Sequence, residues 1–187
     1  EGGSLKDFRY NYENTSVPPR KLYQIFVPKL GVEVIMKKIQ IQDLKPGLIN
    51  GVEVQMPCSA EIYREGYFEW TAVPLICKFS SNEVSGGILK AWHYLPVFTE
   101  VETHIENEMF YFVSGTALML FADIAEGKTV LDSIQVVRIQ AGTQIIIQAG
   151  KGHFVAVAEG DEPAGMVVVS PKVGAPRITL PEAVRGI

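Results

Sequence analysis

The fold is decided by the stretch Glu102-Thr103-His104-Ile105-Glu106-Asn107-Glu108-Met109-Phe110-Tyr111-Phe112-Val113-Ser114-Gly115. Glu102 and His104 are two apart, so in an extended segment both side chains leave the same face. Three residues separate His104 from Glu108, enough for a tight corner. Phe110 and Phe112 keep the parity of Glu108 on what reads as the returning strand. The corner therefore brings two carboxylates and an imidazole into one pocket. A second segment, Gly150-Lys151-Gly152-His153, adds another imidazole. Its glycines supply a backbone turn that frees His153 to point inward, with Lys151 facing solvent.

Outward from this corner the chain reads as a succession of short strands. From Ile88 they run over 88–95, 100–104, 109–113, 117–122, 134–139, 143–148, 154–158 and 165–170. Gly and Asp punctuate most joins, as at Ser114-Gly115, Glu126-Gly127, Ala141-Gly142 and Gly160-Asp161. Before them, Leu22–Val27 and Val32–Ile41 carry β-branched and aromatic residues. Asp43–Gly47 reads as a turn, and Asn50-Gly51 ahead of the alternating Val52–Met56 predicts a hairpin arm. Two further apolar runs, 67–73 and 75–79, flank Pro74, which cannot donate a ladder hydrogen bond and so marks a break or an edge. No window has a helical apolar repeat except the final turn Pro181–Val184. The expectation is an all-β sandwich or barrel with little helix.

With 187 residues, the chain suits one domain with a single core. Residues 1–20, polar and ending in Pro18-Pro19, read as an arm, and 21–187 as the domain. A net charge of −4 and no basic run argue against nucleic acid as a partner. Cys58 and Cys77 are too few and too far apart for a disulfide framework and read as reduced thiols. No stretch approaches the apolar length of a membrane span, and the start lacks the order of a signal peptide, so the expectation is a soluble, cytoplasmic protein without a membrane partner.

The central motif resembles the first signature of the cupin superfamily, Gly-x5-His-x-His-x3-Glu-x6-Gly. Here it reads Glu102-x-His104-x3-Glu108-x6-Gly115, with Glu in place of the first His and Pro96 where the leading Gly would stand. The second signature, Gly-x5-Pro-x-Gly-x2-His-x3-Asn, is similar to Gly142-x5-Gln148-x-Gly150-x2-His153. Gln148 replaces its Pro and Val157 its Asn. Within the superfamily, Glu102-x-His104 and Gly150-x-x-His153 are similar to the ureidoglycolate lyase group, although that group has Gln one residue beyond the position of Glu108. The resemblance implies a jelly roll, two antiparallel sheets with the site between them, carrying an N-terminal strand arm.

It also places His104, Glu108 and His153 at metal-ligand positions, and Glu102 takes the vacant fourth. This oxygen and nitrogen set suits a divalent Mn, Fe, Ni or Zn ion. Two carboxylates bring the formal charge of such a site to about zero, which favours holding a chelating acid or polarising a carbonyl over making hydroxide. Glu102 is alternatively a general base beside the ion, and sequence leaves the two roles open. Lys90, His93, Tyr94 and Lys151 are candidate substrate contacts, and Phe110 and Phe112 candidate cavity wall. The expected function is a metal-dependent enzyme on a small polar metabolite, a ureidoglycolate lyase-like cupin acting on an α-hydroxy or ureido acid. The alternatives are a cupin sugar or uronate isomerase and a non-catalytic small-molecule-binding cupin. Apolar surface on the N-terminal strands predicts a two-fold homodimer.

Overall fold

The computed structural model describes residues 36–57, 61–171 and 174–187. The expected arm over 1–20 and the expected strand Leu22–Val27 lie outside them, as does Cys58. Residues 36–187 belong to one compact unit. It is built from strands with a short 3-10 turn at Leu131–Ser133; among the described residues there is no α-helix, and none long and apolar enough to cross a membrane.

Two large sheets make up the unit. The strands that build them are β1 (Lys37–Ile39), β2 (Ile41–Asp43), β3 (Val52–Gln55), β6 (Ser85–Ala91), β7 (Val97–Glu102), β8 (Glu108–Ser114), β9 (Thr116–Ala122), β12 (Gln135–Gln140), β13 (Gln144–Ile147), β14 (Gly152–Ala158), β15 (Ala164–Ser170) and β16 (Arg177–Gly186). The first sheet has the order β1-β16-β7-β14-β9-β12-β2 and the second β3-β13-β8-β15-β6. Two small hairpins complete the set: β4 (Glu61–Glu65) with β5 (Phe68–Ala72), and β10 (Ile124–Ala125) with β11 (Lys128–Thr129). Chain neighbours repeatedly sit in opposite sheets, which is the all-β jelly roll expected from the sequence.

The seven-stranded sheet curls until its ends meet. β1 and β2 are consecutive in the chain but lie at opposite edges, and Ile41 N–H and Ile187 N–H donate to Ile187 and Ile39 carbonyls, each at 2.9 Å. Gly186 permits the closure, because a Cβ there would meet Ile41 and Val136 side chains at 3.1 Å. Residues of β9 alternate between two apolar clusters, so both faces of this strand are covered. Met119 and Phe121 join Phe110, Phe112, Ile145 and Ile147 between the sheets. Leu120 and Ala122 pack with Phe98, Val101, Val136 and Val184 inside the curl. Each fully buried large side chain contributes about 1.5–3 kcal/mol, so these clusters dominate the stability of the roll.

Two expectations are corrected. Residues 36–56 form no hairpin: β2 pairs with β12 in one sheet and β3 with β13 in the other. The connecting turns, with Gly47 and Gly51 at φ +77° and +76°, are anchored by buried Leu44 and Ile49 as the chain crosses between sheets. Residues 75–79 alternate in burial and pair with no strand among the described residues, in keeping with the break expected at Pro74. Pro181–Val184 is strand, not a helical turn. β16 runs through it with a register shift between Thr179 and Val184, which absorbs the missing N–H of Pro181.

Candidate metal centre

Three of the four candidate donors are fixed by the strand ladders. Glu102 ends β7 and pairs directly with His153 of β14, which pairs in turn with Phe121 of β9, so this row shares one face. Glu108 opens β8, opposite Ile147 of β13, and the strand buries Glu108, Phe110 and Phe112 on its inner side, as their parity required. Phe110 and Phe112 stack at 6.2 Å, and Phe110 meets the His153 ring edge-on at 6.3 Å. His104 lies between the strands, on the corner 103–107. Its carbonyl accepts from Gly150 N–H at 2.8 Å, which ties the first motif to the second. Gly150 makes the turn at φ +82°, and Gly152 packs where a Cβ would meet Ile124 Cδ1 at 2.8 Å. A side chain at either position would strain the approach of His153.

The side chains converge. His153 Nε2 lies 3.0 Å from Glu108 Oε2 and 3.8 Å from Glu102 Oε1, and His104 Nε2 lies 3.4 Å from Glu108 Oε2. The two imidazole rings are 5.2 Å apart. One ligand atom each from Glu102, His104 and His153 falls within 4.8 Å of the others, a spread that one ion spans. His153 is 1% exposed and Glu108 8%, so their polar atoms must be satisfied inside the protein. Burial pushes the Glu108 carboxyl up, but hydrogen bonding and charge from His104 and His153 outweigh it and hold the acid at about 2. The Glu108 carboxylate likewise raises His104 above its ordinary value, against the effect of burial.

Hydrogen-bond accounting exposes a deficit. His153 Nδ1 sits 3.2 Å from the Lys151 carbonyl, and a carbonyl only accepts, so Nδ1 carries the proton. Nε2 lies 3.0 Å from Glu108 Oε2, within hydrogen-bond distance. Neither ring nitrogen of His104 has a hydrogen bond of good geometry. These two buried nitrogens thus stand without a partner beside the Glu108 carboxylate and the His153 ring. A histidine whose second nitrogen is fixed by a carbonyl, beside carboxylates, is the arrangement metal ligands adopt. The donor set therefore fits a divalent cation.

The candidate substrate contacts are not gathered here. Lys90 lies on the exposed face of β6, with Nζ 5.9 Å over the Trp92 ring. Its cross-strand row, Gly165 and Ser114, is six residues along β8 from Glu108, about 20 Å at strand spacing. His93 bridges Ala158, at the other end of β14 from His153, and its ring binds the Glu159 carbonyl at 3.0 Å. Tyr94 beside it is exposed, so neither face of 92–95 lines the interior. Lys151 does not face solvent: it is buried, with Nζ on Asp123 at 2.7 Å. What reaches the site instead is its carbonyl. Phe121, whose place beside His153 follows only from the strand pairing, and Asn107 carry no local sequence signal. Cys77 is a free, half-buried thiol.

No family model matches this chain, and no curated protein matches its sequence. Solved structures do match. An oxalate decarboxylase of Bacillus subtilis aligns with TM-score 0.38 and 19% identity over 52% of this chain and 24% of that one. An oxalate decarboxylase of Lactobacillus farciminis in complex with formate gives 0.40 and 22% over 73% and 33%. RmlC of Streptococcus suis in complex with dTDP-D-xylose gives 0.44 and 10% over 72% and 71%. The chain spans a quarter to a third of the length of these decarboxylases.

Proposed function

We propose that this chain is a cupin-type metal protein. In this reading Glu102, His104, Glu108 and His153 hold one divalent ion, Mn, Fe, Ni or Zn, and the protein is an enzyme acting on a small polar acid. The observation that carries the reading is the convergence of Glu102, His104 and His153 ligand atoms within 4.8 Å of one another, with both buried ring nitrogens of His104 lacking a hydrogen-bond partner. An ion bound there would supply Lewis acidity to an oxygen of the substrate. Glu108 stays ionised throughout the neutral range and serves both histidines. Glu102 is the carboxylate least engaged by its neighbours, since 3.8 Å to His153 is too long for a hydrogen bond. It is free to be the fourth ligand or to move a proton at a substrate carbon or hydroxyl. The Phe110, Phe112 and Phe121 rings keep water from the inner side.

Two carboxylates against one dication leave a site of about zero formal charge, and the Lys151 ammonium is committed to Asp123. That favours a substrate carrying one carboxylate, an α-hydroxy or ureido acid cleaved in the manner of ureidoglycolate lyase-like cupins. The unengaged Glu102 also favours a second reading, aldose-ketose isomerisation of a sugar or uronate, where a carboxylate shuttles a proton between adjacent carbons. A panel of hydroxy, ureido and sugar acids, assayed with chelated and metal-loaded protein, tests both. Metal-dependent turnover of one class selects its reading. No turnover by protein with stoichiometric metal assigns the site to small-molecule binding alone.

The proposal includes a two-fold homodimer. β3 and β6 are the edges of the second sheet and have no pairing partner on their outer sides among the described residues, and unpaired edges invite association.

A further inference from the structure

We infer that Asn107 is the positioning residue of this site, acting through His104; the inference rests on the reading of the cluster as a metal centre. Glu102, Glu108 and His153 are held in register by backbone ladders. His104 is the one donor of the four that is not on a strand. Ile105 at the tip of its corner is 85% exposed, and discrete hydrogen bonds tie the corner to its neighbours.

Asn107 anchors the corner to two other segments from both ends of its amide. Oδ1 accepts from Ala149 N–H at 3.0 Å, one residue before the Gly150 N–H that binds the His104 carbonyl at 2.8 Å. Nδ2 donates to the Lys78 carbonyl at 2.9 Å. One side chain thus joins the corner, the turn that launches His153, and the unpaired segment around Lys78. Glu106 holds only that segment, accepting from Ser80 N–H at 3.1 Å and from the Ser80 hydroxyl. Losing the Asn107 amide frees the corner from the Gly150 turn on its side-chain side. His104 then samples positions away from the other three donors, and the ion loses a ligand for part of the time. Groups that orient metal ligands typically cost 10–100-fold in affinity when removed.

The test uses cobalt(II), whose visible spectrum reports coordination geometry. Wild type, Asn107→Ala, and Arg138→Ala as a destabilised control far from the cluster are titrated with the ion alone. The expected result is a Kd for Asn107→Ala at least ten-fold above wild type with an altered visible spectrum, and Arg138→Ala within two-fold with an unchanged spectrum. Asn107→Gln, which keeps the amide but displaces it by one methylene, stands in if the alanine variant does not fold, with the same expectation. Asn107→Ala within two-fold and spectrally unchanged overturns the inference, as does equal weakening by Arg138→Ala. Wild-type protein that binds no cobalt overturns the underlying metal reading first, and the inference with it.

Discussion

Replacing Glu108 by Gln keeps the shape of the side chain and removes its charge at the point where both histidines meet. Glu108 Oε2 contacts His153 Nε2 at 3.0 Å and His104 Nε2 at 3.4 Å, in a site where Glu108 is 8% exposed. Hydrogen bonds to a charged group contribute about 1.5–3 kcal/mol, and the 3.0 Å contact falls in that class. The longer one contributes less, and the Gln amide recovers part of the loss by donating to a neutral imidazole. The net loss in metal-free protein is about 2 kcal/mol, which for a chain of this size lowers Tm by about 4–8 °C. Metal affinity falls further, by about 100-fold or more, because a neutral amide is a poor ligand for a divalent ion. Thermal melts in chelator measure the first effect and isothermal titration with manganese the second. A Glu108→Gln protein that melts within 1 °C of wild type and binds metal equally would refute the assignment of Glu108 to this centre.

Other predictions follow from neighbouring geometry. Glu102→Gln separates ligand from base: a ligand role lowers metal occupancy, a base role leaves the ion bound and abolishes turnover, and His153→Ala loses metal under both. Arg138 of β12 holds Glu159 through Nε at 2.6 Å and Asp43 at 2.7 Å, clasping three segments. That hydrogen bonding lowers the Glu159 carboxyl below its ordinary value. A depressed carboxyl contributes stability above about pH 4.5 that is lost as pH falls through its folded value, so Glu159→Gln should cost about 1 kcal/mol at pH 7 and less at pH 3. Chemical denaturation at both pH values checks the sign, and an equal loss at both would refute it. Light scattering of the full chain should give twice the monomer mass, and a clean monomer would refute the homodimer.

Much of the centre was legible because period-2 geometry is strict. Once Glu108, Phe110 and Phe112 were read as one parity, their shared burial followed, and the glycines around Lys151 announced the turn that aims His153. What was not legible depended on partners far apart in sequence. Nothing near Lys151 reveals that Asp123 would bury its ammonium, and nothing in Val52–Met56 reveals that its pairing strand is β13 rather than the preceding run. Residues 75–79 have a strand's alternation because one side of the segment is half-buried, but a ladder needs a neighbour and none is described. Pro181 broke a strand pattern whose bulge only the pairing with β7 explains. Chain proximity to the first motif suggests Lys90, His93 and Tyr94 as substrate contacts, whereas register carries them to the other end of the roll. Asn107 escaped notice because its role lies in two backbone groups that local sequence does not bring together.

The most direct test of the central claim is elemental analysis of the full chain, purified without chelators and then equilibrated with manganese, iron, nickel or zinc and desalted. The account predicts one divalent ion per chain, lost in His153→Ala. A wild-type protein that retains no stoichiometric metal under any of these conditions would contradict it.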